Sequence, residues 1–120
     1  MMLIINMSES ALLANFKEYY QTGIYSVDNK KYNSAANEFF KAFITLCDMS
    51  IYRKLKILPN DHTDRFTILK INFPKLFKID NSLFDIYRRT YKLRLSSSEV
   101  KQIQKGVIEV AKILNIETDM

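Results

Sequence analysis

From about Lys31 to Leu58, the residues Tyr32, Ala35, Ala36, Phe39, Phe40, Phe43, Cys47 and Ile51 recur every three or four positions. That is the period of an α-helix, and a helix this long with so wide an apolar face must be covered by other elements along most of its length. The rest of the fold is therefore expected to assemble around it. Turn residues are scarce. The chain has two glycines, Gly23 and Gly106, and two prolines, Pro59 and Pro74, far fewer than an all-β domain needs. The reading is an all-α, antiparallel up-and-down bundle of four to five helices, formed by residues 1–120 as a single domain with 1–7 as a flexible lead-in.

The other helices follow from periodicity and caps. Ser8 or Ser10 can cap a first helix running to about Tyr25, with Leu12, Leu13, Phe16, Tyr19 and Tyr20 at helical spacing and Gly23 near its end. Gly23, Tyr32, Ala35, Phe39 and Ala42 resemble one tetratricopeptide hairpin in spacing, but a solenoid needs about three such units. They are read as an antiparallel helix pair with small residues at its contact. Pro59 is expected to stop the long helix, and Asn60 or Asp61 to cap a third one ending before Pro74. "PKLFKID" reads as a single turn. Asp80 or Asn81 then opens a fourth helix with Leu83, Tyr87, Tyr91 and Leu95 along one face. Ser96 and Glu99 have capping-box spacing ahead of a last helix striped by Val100, Ile103, Val107, Val110, Ala111 and Leu114.

Composition excludes several classes of protein. The single Cys47 rules out an internal disulfide, a CxxC redox pair and a cysteine-rich zinc site. "MMLIINM" lacks the flanks of a signal peptide, and no apolar run reaches the length of a membrane span, so the expectation is a cytoplasmic protein with no membrane partner. The net charge is +5 and is unevenly placed: from Arg53 to Arg94 there are eleven Lys or Arg against four Asp. Such a basic middle suits an anionic partner such as nucleic acid, and a lysine-rich solvated surface accounts for it equally well.

Tyr32 through Leu114 resembles the HEPN superfamily, the higher eukaryotes and prokaryotes nucleotide-binding domain, in its small stand-alone prokaryotic or archaeal form. Three segments carry the likeness in order: "YNSAANEFFKAFITLCD", "LPNDHTDRF" and "FDIYRRTYKLRLSSSEVKQIQKGVIEVAKIL". The resemblance implies a helical bundle that binds RNA, a nucleotide or a partner nucleotidyltransferase, and that forms a homodimer with basic strips near its interface. Members that cleave RNA carry an arginine followed four to six residues later by a histidine. Here Arg89 is followed at that spacing by Arg94, which cannot act as a base near neutral pH. The implied function is therefore a binding module without catalysis of its own. The alternatives are a metal-independent ribonuclease of toxin–antitoxin type using His62, and a purely structural interaction module.

Arg88, Arg89, Lys92 and Arg94, with Tyr87 and Tyr91 between them, are the candidate binding residues, and Arg53 and Arg65 are lesser contributors. The arginines can hold phosphates while the tyrosines stack on bases. Alternatively the tyrosines belong to the core, and the arginines pair with Asp85, with Glu99 or across a dimer. His62 is catalytic only under the ribonuclease alternative and otherwise helps to start a helix. Cys47 reads as a core residue. No spacing suits a metal or a cofactor, so neither is expected.

Overall fold

The computed structural model describes residues 2–119, and side chains from residue 9 onward. Among them are five α-helices and no strands: α1 (Met2–Asp28), α2 (Tyr32–Leu55), α3 (His62–Asn72), α4 (Pro74–Arg88) and α5 (Ser97–Ile113), with a 3-10 turn at Arg89–Tyr91. The all-α bundle expected from the sequence is the one observed.

Contacts between helices set their directions. Tyr20 meets Phe39 at a ring distance of 5.4 Å, and Glu9 pairs with Arg53, so α1 runs antiparallel to α2. Phe40 stacks on Tyr87 at 4.3 Å, and Asn33 reaches the carbonyl of Thr90, so α4 is also antiparallel to α2. Asn33 binds Leu95 and Arg53 binds the carbonyl of Leu114, which makes α5 parallel to α2. The four long helices therefore alternate up and down, and the short α3 is inserted before α4. The core is continuous through Phe16, Phe39, Phe43, Leu46, Ile103 and Val107, all fully buried.

Three helices end where residues other than glycine take a left-handed backbone. Lys30 has φ 57°, with Lys31 N–H donating to Ser26 and Lys30 N–H to Val27, the paired bonds of a Schellman ending. Asn115 ends α5 in the same way. Lys56, at φ 58°, stops α2 at Leu55, three residues short of the expected Leu58 and before Pro59 is reached. At the other end of the hairpin, α1 begins at Met2, so neither Ser8 nor Ser10 opens it. The side chains of the expected lead-in, residues 1–7, lie outside the described residues.

The fourth helix also differs. Pro74 sits at its first position, where a missing N–H costs nothing, and "PKLFKID" continues into the helix without a break. Asp80 is therefore an interior residue and not a cap. The helix ends at Arg88 and not near Leu95, because the chain tightens into the 3-10 turn and runs to Ser96, whose capping box with Glu99 opens α5 as expected. Leu95 is still buried, from the connecting segment.

Two glycines mark close helix contacts. A Cβ on Gly23 would lie 2.5 Å from the ring of Phe39, whereas one on Gly106 would lie 2.6 Å from a terminal methyl of Leu83. Alanine gains roughly 1 kcal/mol of helix propensity at either site. The buried ring cannot move aside, and overpacking of this kind costs about 1–3 kcal/mol, whereas a leucine tip can turn. Gly23→Ala is expected to lower the midpoint of thermal unfolding by a few degrees, and Gly106→Ala to leave it unchanged or raise it, as read by circular dichroism.

Candidate nucleic-acid interface

The expected site residues fall in three places. Arg88, Arg89, Lys92 and Arg94 lie together with Tyr87 and Tyr91 on the end of α4 and the turn that follows. Arg53 is at the far end of α2, some twenty residues from the Asn33 that contacts this turn, or about 30 Å along the helix. There it binds Glu9 and the carbonyl of Leu114. Arg65 holds α3 to α2 through a two-point pair with Asp48, at 2.7 and 3.0 Å. Neither joins the turn.

Two of the four turn cations already have partners. Arg88 pairs with Asp85 at 2.8 Å, with both side chains largely exposed, and Arg89 pairs with Glu99. The Ser96 backbone N–H, and to a lesser extent Arg89, hold the Glu99 carboxyl below its usual range. An exposed pair such as Arg88–Asp85 contributes only ~0–1 kcal/mol, so Arg88 can exchange Asp85 for a phosphate. Lys92 and Arg94 are exposed and have no ion pair among the described residues.

The tyrosines divide between core and surface. Tyr87 is stacked on Phe40, and its hydroxyl meets that of Tyr91 at 3.0 Å. That hydrogen bond and partial burial push the Tyr87 hydroxyl up to about 12. Tyr91 is 73% exposed. Its ring continues a line of aromatics through Tyr87 to Phe84, with centroids 5.9 and 6.1 Å apart.

Asn33, which no periodicity or motif singles out, fixes the turn. Its amide donates to the carbonyls of Thr90 and Leu93 at 3.1 and 2.7 Å, and its oxygen accepts from Leu95 N–H at 2.8 Å. One side chain thus satisfies three backbone groups of a connection whose only regular structure is the single 3-10 turn at Arg89–Tyr91.

His62 is the first residue of α3, behind the cap made by Asp61, whose carboxylate accepts from Asp64 N–H at 2.8 Å. Its Nδ1 lies 2.9 Å from Nη1 of Arg65. A guanidinium only donates, so this imidazole nitrogen is the acceptor. Within the chain, His62 therefore meets Arg65 and not Arg89 or Arg94; the Arg65 partner Asp48 is fifteen residues along α2 from Asn33, about 20 Å away. Cys47 is fully buried, and burial pushes its thiol well above its usual range, as suits a core residue.

Beside His62 a cleft of about 370 Å³ opens between α2, α3 and α4, and Asp80 lines it. Asp80 is only 6% exposed and makes no hydrogen bond or ion pair among the described residues. Burial raises its carboxyl to about 6, against an opposing pull from Arg65. A continuous α4 from Pro74 places position 80 on the same face as Leu76 and Leu83, and that register is the signal by which the sequence could have revealed it. No group of three or more potential metal ligands occurs among the described residues. No helix there is long and apolar enough to cross a membrane. Compared with known proteins, the chain matches no family model, no curated sequence and no solved structure.

The buried carboxylate has a consequence for stability. Folded Asp80 keeps its proton up to about pH 6, whereas in the unfolded chain the proton leaves near 3.8. The folded state thus binds more protons in that window, and stability falls as pH rises through it. The charge that acts on Asp80 is Arg65 on α3, which is itself paired with Asp48 on α2. Asp80→Asn is expected to stabilise the protein at pH 7.5 by on the order of 2–3 kcal/mol. The gain should vanish near pH 4, as measured by urea unfolding at both values.

Proposed function

We propose that the protein is an HEPN-like module that binds single-stranded RNA through the end of α4 and the turn after it, without catalysis of its own. The observation that carries this reading is Tyr91. It is a largely exposed ring between the basic residues Arg88 and Lys92, on a turn held in place by Asn33. Single strands are bound by such a combination, with cations tracking the phosphates and aromatic faces accepting unstacked bases. The turn is already ordered, so binding loses little conformational freedom there. The proposal includes a homodimer, as the HEPN resemblance implies, and light scattering should return twice the mass of the 14.1 kDa chain.

A ribonuclease reading draws on the contact between His62 and Arg65, an imidazole beside a cation at the mouth of a cleft. It requires cleavage of RNA that disappears in His62→Ala.

The test is RNA binding by the purified chain across a range of salt concentrations. Phosphate contacts give a log–log slope of about −0.7 per contact on single strands. The Lys92→Ala/Arg94→Ala double variant is expected to bind more weakly and to flatten that slope by about 1 to 1.5. Tyr91→Ala should lose about 1–3 kcal/mol of affinity with the slope unchanged. Absence of binding at low salt would leave a nucleotide, a nucleotidyltransferase-type protein or another protein as the partner.

A further inference from the structure

We propose that the cleft between α2, α3 and α4 is a site for a guanine-type ring, a neutral planar heterocycle with two adjacent N–H donors on one edge, both accepted by Asp80. The proposal rests on the RNA reading only for where the ring comes from.

Asp80 is the starting point. Among the described residues, no buried side-chain oxygen or nitrogen sealed from solvent lacks a partner. The Asp80 carboxylate has no partner and belongs to a residue only 6% exposed. Its oxygens are therefore open to the cleft it lines. An acceptor-only group in that position calls for donors from outside.

The walls define the shape of the ligand. Phe40, Ile44, Phe66 and Phe84 line the cleft, with Phe66 and Phe84 more than a third exposed. Flat apolar surface beside a fixed polar anchor suits a stacked ring. The volume is near the lower limit for small-molecule sites, about 300 Å³, so a nucleoside base fits and a larger group does not.

The polar groups define its edge. At pH 7.5 Asp80 is ionised, its carboxyl titrating near 6, and two carboxylate oxygens accept two parallel N–H bonds. Guanine offers N1–H beside its exocyclic amine, while adenine and cytosine put a ring acceptor beside their amine and uracil has a single ring N–H. Asn81, which also lines the cleft, can donate to the guanine O6. A phosphate or carboxylate ligand is repelled by Asp80. An alkylammonium ion leaves the flat walls without a stacking partner and finds only phenylalanine faces, weaker partners for a cation than tryptophan.

Titration calorimetry of the full chain at pH 7.5 with the four ribonucleosides tests this. Guanosine is expected to bind at least tenfold more tightly than adenosine, cytidine or uridine. Asp80→Asn should abolish that preference while unfolding no more easily than the parent, an outcome that a structural role for Asp80 does not give. Phe84→Ala should weaken guanosine severalfold. Equal binding of all four nucleosides, no binding of guanosine at millimolar concentration, retained preference in Asp80→Asn, or tighter binding of tetramethylammonium would each overturn the proposal. Guanosine binding without RNA binding overturns the RNA reading and leaves this one standing. RNA binding by the salt-dependent turn with no guanosine preference does the reverse.

Discussion

Helix α2 is the element that the rest of the fold encloses. More than half of its residues are buried, and the other helices are placed by the part of it they cover. Phe39 faces α1 and Phe40 faces α4. Burial of this kind is worth about 25 cal/mol per Å² of apolar area, and it is available only when neighbours close around the helix on several sides. Gly23 is what lets α1 come near enough. With no Cβ there, the ring of Phe39 lies against the α1 backbone, and the two longest helices form one slab to which the rest attaches.

Within that core Asp80 runs against the general trend. Leu76, Leu83 and Ile86 are the other buried residues of its helix, and any of them at position 80 would pack without an ionisation cost. A carboxylate kept there without a donor reduces stability in the state it occupies at neutral pH. Local conflicts with an otherwise consistent fold tend to coincide with sites that do something besides hold the chain together. Arg65 close by pulls on Asp80 by its charge but gives it no hydrogen bond, because its fork is already used on Asp48.

The sequence disclosed the helices more readily than their ends. The stripes of α2 and α5 and the Ser96–Glu99 capping box were legible because period and cap chemistry are local. The stops at Lys30 and Lys56 were not, since nothing in a lysine signals a left-handed backbone, whereas asparagine at 115 is a residue type that favours it. Aspartate is a common capping residue, so its type alone points to a helix start at position 80 and away from the buried, interior place it takes in α4. The basic turn was found by composition alone. Asp85 and Glu99 were legible as partners for its arginines, but which arginine takes which was not, because the Arg89–Glu99 pair depends on where α5 begins. Asn33 could not be read at all, as its three bonds span about sixty residues of chain.

The span of those Asn33 bonds also bears on the order of folding. The α1–α2 hairpin closes over a three-residue link and needs no distant partner, so it can form early. The Leu95 N–H acquires its acceptor, and the Thr90 and Leu93 carbonyls their donor, only after α4 has returned along α2 to its first turn. The Leu95 amide therefore belongs to a late and easily released unit, and its exchange with solvent reports opening of that end of the molecule while the hairpin remains closed.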